Sequence, residues 1–90
     1  MIHPTAIIHP KARLDRTVRI GPYSVVGRQC HVEEHATIEQ SIIWANCRVS
    51  QDAIIRQSII GRQCHIGRSA IIESGTVLGD KSVVTDFSRL

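Results

Sequence analysis

Val26-Gly27-Arg28-Gln29-Cys30-His31 (VGRQCH) returns at Ile60-Gly61-Arg62-Gln63-Cys64-His65 (IGRQCH) with one conservative change. Two Cys-His pairs supply four soft ligands, the inventory of a structural zinc site. The alternative is a six-residue unit that recurs through the whole chain, and the aliphatic residues decide for it. Steps of six from Ile2 land on Ile8, Leu14, Ile20, Val26, Val32 and Ile38. One step of five reaches Ile43, and steps of six lead on to Val49 and Ile55. A second step of five reaches Ile60; Ile66, Ile72, Leu78, Val84 and Leu90 follow at six. Four residues after each of the first fifteen stops stands a smaller side chain: Ala6, Ala12, Val18, Ser24, Cys30, Ala36, Ile42, Cys47, Ala53, Ile59, Cys64, Ala70, Thr76, Ser82 and Ser88. Gly directly follows the aliphatic residue at positions 21, 27, 61, 67 and 79.

Strand geometry converts this pattern into a shape. Side chains alternate faces along a strand, so the small residue and the aliphatic residue two positions later point the same way. The pattern resets every six residues, which demands a corner after each short strand. Gly, Asn46, Asp52 and Gly75 near those corners tolerate unusual backbone angles. Three strands and three corners close a triangular coil, and coils stack in parallel as a solenoid. A period of six matches neither the 3.6 of a helix nor a heptad.

Composition agrees with an all-β chain. The 90 residues hold one Trp, one Tyr and one Phe, so the core rests on Ile, Val, Leu and Ala. No apolar run approaches the roughly 20 residues that span a bilayer, and no signal segment opens the chain. Three cysteines, an odd number, argue against a disulfide framework and for a reducing compartment. The expected localisation is cytoplasmic.

The unit aliphatic–Gly–x–x–small–x resembles that of hexapeptide-repeat proteins. The resemblance covers Ile2 to Leu90 and implies a left-handed parallel β-helix. As a single domain over 1–90, the chain divides into five coils at 2–19, 20–37, 38–54, 55–71 and 72–89. At ~4.8 Å per parallel neighbour the prism would stand about 24 Å tall. Both of its ends would expose unpaired strands, which invites end-to-end packing or a flanking domain.

This geometry answers the metal question. Cys30, Cys47 and Cys64 fall at one inward position on successive coils, while His31, Arg48 and His65, the next residues along, face outward. Cys and His of one copy then lie on opposite sides of the wall. The two copies sit two coils apart, about 9.5 Å, too far for one zinc. The cysteines read as core. In His31-Val32-Glu33-Glu34-His35 a corner separates the two histidines, and they read as solvated. No metal, cofactor or catalytic residue is expected.

The charges sort by wall. The wall of 8–13, 26–31, 43–48, 60–65 and 78–83 carries Lys11, Arg13, Arg28, Arg48, Arg62 and Lys81 against Asp80, a net +5, and the other two walls carry −1 each. Arg28, His31, Arg48, Arg62 and His65 form a candidate docking or anion face, suited to phosphate, a sugar nucleotide or an acidic partner surface. Nucleic acid is not expected, since Trp44 is the only aromatic residue there. On another wall Glu39, Arg56 and Glu73 stack as a charge ladder. Trp44 has Gly27 and Gly61 as column neighbours, so its indole either covers backbone or anchors a partner. Ile54 and Ile71 stack outward, and Ile7, Val25 and Val77 also point out. With Trp44, Ile54 and Ile71 are candidate interface residues for a homo-oligomer, a dimer or a trimer.

The five-residue steps fall in IEQSII (38–43) and IRQSII (55–60). Each opens a run of Ser, two aliphatics, three further residues, Cys, one residue and an aliphatic: Ser41 to Val49, and again Ser58 to Ile66. Together with the closing GDKSVVTDFSRL (79–90), these runs resemble the C-terminal β-helix of sugar-phosphate nucleotidyltransferases. Mannose-1-phosphate guanylyltransferase and the glucose-1-phosphate thymidylyl- and adenylyltransferases are of this kind. Catalysis in that family belongs to an N-terminal Rossmann-like domain with a Gly-rich loop that this chain lacks. The resemblance therefore implies a non-catalytic role in oligomerisation, docking on the catalytic domain or effector binding. IHPTAIIHP (2–10) resembles the first coil of hexapeptide acyltransferases. That alternative implies an acyl-CoA or acyl-carrier donor and a histidine base, with His35 and His65 as candidates. A purely structural solenoid is the third alternative.

Overall fold

The computed structural model describes residues 2–90, and Met1 lies outside them. Among the described residues fourteen short strands follow one another: β1 (Ile7–Ile8), β2 (Arg13–Leu14), β3 (Arg19–Ile20), β4 (Val25–Val26), β5 (His31–Val32), β6 (Thr37–Glu39), β7 (Ile42–Ile43), β8 (Arg48–Val49), β9 (Ile54–Arg56), β10 (Ile59–Ile60), β11 (His65–Ile66), β12 (Ile71–Ile72), β13 (Val77–Leu78) and β14 (Val83–Val84). Every third strand joins the same sheet. The three sheets run β1-β4-β7-β10-β13, β2-β5-β8-β11-β14 and β3-β6-β9-β12. All pairs are parallel, and the register advances by 18, 17, 17 and 18 residues, as in Ile7↔Val25↔Ile42↔Ile59↔Val77. The chain is therefore a parallel β-helix of about five stacked coils, 28 Å along its longest dimension.

The core is the inward row of each sheet. Ile20, Ile38, Ile43, Ile55, Ile60, Ile66 and Ile72 are fully buried, with Val26, Val32 and Val49. Each buried aliphatic side chain contributes about 1.5–3 kcal/mol of transfer free energy. Each corner takes its own small residue against this core. Ser24, Ser41 and Ser58 line one, Cys30, Cys47 and Cys64 the next, Ala36, Ala53 and Ala70 the third, and all are buried. The serine hydroxyls donate to backbone carbonyls, as Ser41 does to Glu39 at 2.7 Å and Ser58 to Arg56 at 2.7 Å. No buried side-chain polar atom among the described residues lacks a partner.

The short steps lie where the sequence puts them, but their phase differs from the expectation. As the small members of their hexads, Ile42 and Ile59 are expected to face inward. In the structure both face outward, and Ser41 and Ser58 point in. The missing residue is lost from the corner itself, so Ser stands three rather than four residues after Ile38 and Ile55.

The corners also achieve their turn differently. Among the described residues left-handed φ falls on twelve non-glycine residues, including Gln29, Asn46, Gln63 and Lys81 at one corner and Gln40, Gln57 and Ser74 at another. Asn46, Asp52 and Gly75 behave as expected, while the hexad glycines do not adopt this conformation. The cost of about 1–2 kcal/mol per residue is offset by a regular hydrogen bond. The amide at this position donates to the coil before it: Asn46 to the Arg28 carbonyl at 2.9 Å, Gln63 to Ala45 at 3.0 Å, Lys81 to Arg62 at 2.8 Å. Thr17 and Thr5 hydroxyls accept instead from His35 and Tyr23. The hexad glycines serve close approach. A Cβ on Gly67 would lie 2.5 Å from the Asp86 nitrogen, and one on Gly27 would lie 2.9 Å from the Trp44 carbonyl carbon.

Candidate interaction surfaces

The basic group divides in two. His31, Arg48 and His65 form one outward column on β5, β8 and β11, in direct register, with Arg13 before them and Val83 after. Arg28 and Arg62 stand instead at the turns between that sheet and the β1-β4-β7-β10-β13 sheet, with Ala45 and Asn46 between them. The wall read as continuous is an edge plus a neighbouring face. Its repulsion is also partly relieved within the chain. Arg48 pairs with Glu33 through both Nε and Nη2. Arg62 Nη2 lies 3.1 Å from Asp80 Oδ2. Among the described residues Arg28 has no ion pair, and it shares its edge with Lys11 and Lys81. Of the three candidate arginines, Arg28 is thus the one whose charge no carboxylate among the described residues offsets. His65 Nε2 faces Ser50 Oγ at 3.4 Å.

The charge ladder is present as expected. Arg56 Nε donates to Glu39 at 2.8 Å and Nη1 to Glu73 at 3.2 Å. The Glu39 hydrogen bond first, then that of Glu73, pushes the guanidinium up from its ordinary value.

A larger apolar surface lies on the β1-β4-β7-β10-β13 sheet. Ile7, Val25, Ile42, Ile59 and Val77 pair in sequence and all point outward. Ile7 is 66% exposed, Ile42 39%, Ile59 42% and Val77 69%, with Trp44 beside them at 53%. This sheet is apolar on both faces, the pattern of a parallel sheet meant to be covered. The expectation had Ile7, Val25 and Val77 but missed Ile42 and Ile59, and so missed the continuity. Counting back by two from the inward Ile43 and Ile60 would have found them, since that places Ser41 and Ser58 inside. Trp44 lies over Gly27, and with His9, Val25, Arg28 and Ile42 it borders an open recess of about 390 Å³. Ile54 and Ile71 pair in the β3-β6-β9-β12 sheet and are half-buried, with Thr37 and Arg89 as their column neighbours.

Cys30, Cys47 and Cys64 are free and buried at a corner, while His31 and His65, the next residues along, stand exposed on β5 and β11. The thiols donate to the next coil, Cys30 to the Trp44 carbonyl at 2.7 Å and Cys47 to that of Gly61 at 2.8 Å. The neighbouring Cys30 sulfur and burial push the Cys47 thiol up. His35 sits at the following corner with a φ of 58°. Among the described residues no three His, Cys, Asp or Glu side chains gather in a metal-binding group. No helix of the described residues is long and apolar enough to cross a membrane.

Comparison with known proteins adds three findings. The chain is 59% identical over 27 residues to acyl-[acyl-carrier-protein]–UDP-N-acetylglucosamine O-acyltransferases of Neisseria meningitidis serogroup C and Herminiimonas arsenicoxydans. That segment is 30% of this chain and 10% of those enzymes, so the chain spans a small part of their length. A mutant of GDP-perosamine N-acetyl transferase from Caulobacter crescentus, solved with CoA and GDP-perosamine, aligns over 98% of this chain and 49% of its own at 18% identity, with a TM-score of 0.42. The model of the GMPPB C-terminal domain matches residues 2–89, in accord with the Ser-aliphatic-aliphatic runs and the β-helix that carries them, and the chain belongs to this family.

Proposed function

We propose that the chain is the docking and oligomerisation module of a sugar-phosphate nucleotidyltransferase, with nucleotidyl transfer performed by a separate catalytic domain. Family membership over 2–89 supports the parent activity. The observation that carries the oligomerisation role is the unbroken outward aliphatic column from Ile7 to Val77, because contiguous exposed apolar surface marks a contact site. The Arg28 corner, with Lys11 and Lys81, is the place for a phosphate or a sugar nucleotide. His31, Arg48, Arg62 and His65 shape the surrounding potential.

The test is to mix the chain with a mannose-1-phosphate guanylyltransferase catalytic domain and follow both sedimentation and pyrophosphate release. A complex, or a changed kcat/KM, supports the docking role; independent sedimentation with unchanged kinetics refutes it. Titration with inorganic phosphate and with a nucleoside-diphosphate sugar, followed by amide NMR, tests the anion site. Shifts should centre on Arg28, and unchanged spectra would remove this part of the reading.

The 27-residue likeness to UDP-N-acetylglucosamine acyltransferases favours a second reading, acyl transfer to an amino sugar nucleotide. His35 and His65 are its candidate bases. Release of free thiol from acyl-carrier protein or acetyl-CoA, abolished by His35→Ala or His65→Ala, would establish it in place of the first.

A further inference from the structure

We propose that two copies of this chain associate through the β1-β4-β7-β10-β13 face with their coil axes parallel. This rests on the oligomerisation reading above and names its face and geometry. Three outward columns can be compared directly. One runs Arg13, His31, Arg48, His65 and Val83; another runs Arg19, Thr37, Ile54, Ile71 and Arg89. Both carry charge. The column Ile7, Val25, Ile42, Ile59 and Val77 carries none, so a partner loses no hydration of ions by covering it.

The two edges of this face differ in charge, and that difference selects the arrangement. The edge after the strands holds Lys11, Arg28, Arg62 and Lys81 against Asp80, a net +3. The edge before them holds Gln40, Gln57 and the Glu39–Arg56–Glu73 ladder, a net −1. Two copies face to face with antiparallel axes would set the +3 edges against each other. A twofold axis parallel to the coils sets each +3 edge against the −1 edge of the other copy, and each level of the column against itself. The face is small. The molecule measures 28 × 21 × 21 Å, so a face offers at most about 590 Å² and the pair buries at most about 1,200 Å², a ceiling that only reaches the lower bound for specific interfaces. A reversible dimer follows.

Sedimentation velocity across a concentration series reaching about 100 μM tests the association. The chain should pass from monomer to dimer. Ile42→Lys and Ile59→Lys should each weaken the dimer by about tenfold or more, with circular dichroism unchanged, since both sites are partly exposed. Thr37→Lys on another face should leave it intact. A short bismaleimide crosslinker tests the orientation, because about 19 Å separates the two ends of the column. With parallel axes, Ile7→Cys alone and Val77→Cys alone each give covalent dimers, and the native thiols, being buried, stay silent. Crosslinking only in a mixture of the two variants would overturn the arrangement. A monomer at every concentration, or a dimer indifferent to Ile42→Lys and Ile59→Lys, would overturn the inference. If that monomer still bound the catalytic domain, the docking reading would stand without it. A parallel homodimer that ignored the catalytic domain would support the inference and remove docking on that domain from the reading.

Discussion

Arg62 meets Asp80 twice: its backbone N–H donates to Oδ1 at 2.8 Å, and Nη2 to Oδ2 at 3.1 Å. Gly61 makes room for this contact, since a Cβ there would lie 2.7 Å from the same Oδ1. The backbone bond first, then the guanidinium, holds the Asp80 carboxyl below its ordinary 3.8. A depressed folded-state value means that the contribution to stability is complete above pH 3.8 and is lost as pH falls through the lower folded value. Carboxyl-detected NMR should place the Asp80 midpoint below 3.8, and Arg62→Ala should raise it only part of the way, because the backbone donor stays. A native midpoint at or above 3.8 would contradict the contact.

Glycine substitutions should separate close approach from flexibility. A Cβ on Gly67 meets three backbone atoms of the next coil at 2.5–2.7 Å, whereas one on Gly79 meets nothing within 4 Å. Gly67→Ala should therefore cost about 1–3 kcal/mol through forced backbone displacement. Gly79→Ala should be neutral or stabilise by up to about 1 kcal/mol. Urea midpoints of the two variants decide the matter, and equal midpoints would show that the coils are not in contact at Gly67.

The phase of the shortened corners predicts a contrast between adjacent residues. Ile43 is fully buried and Ile42 is exposed. Ile43→Ala should cost about 2–5 kcal/mol, while Ile42→Ala should change the stability of the monomer by about 0.5 kcal/mol or less. Chemical denaturation at a concentration low enough to keep the chain monomeric measures both. A reversed order would restore Ile42 to the inside.

The inner thiols should be silent. Cys30, Cys47 and Cys64 are buried, and the Cys47 thiol is held protonated by its neighbour and by burial. An aromatic disulfide reagent at pH 8 should find no fast-reacting thiol in the native chain and all three after guanidinium is added. A rapid native reaction would mean that this corner opens.

Much of this architecture was legible because one aliphatic residue in six must face the core. That rule places Ile20, Ile38, Ile55 and Ile72 in one sheet and also gives the Cys30–Cys47–Cys64 column. The small-residue rule carries less information. Applied forward from Ile38 and Ile55 it selected Ile42 and Ile59, since an isoleucine satisfies neither side of the wall exclusively. Alternation counted back from Ile43 and Ile60 has no such ambiguity. Pairing of charges was less legible. Glu33 and Arg48 belong to different walls in a tally by segment, yet their long side chains join across successive coils. The hexad glycines looked like turn residues, but their reason is the backbone packed above them, which a single coil's sequence does not display.

The corners at Glu39-Gln40-Ser41 and Arg56-Gln57-Ser58 show where this chain can change length. A residue removed from a corner leaves every later strand with its inside still inside. The same deletion within a two-residue strand would exchange core for solvent until the next bend restored the count. Natural variants of this domain should therefore gain or lose residues at its three edges and keep strand lengths fixed. Both shortened turns lie on one edge, so the faces above them remain aligned with those below.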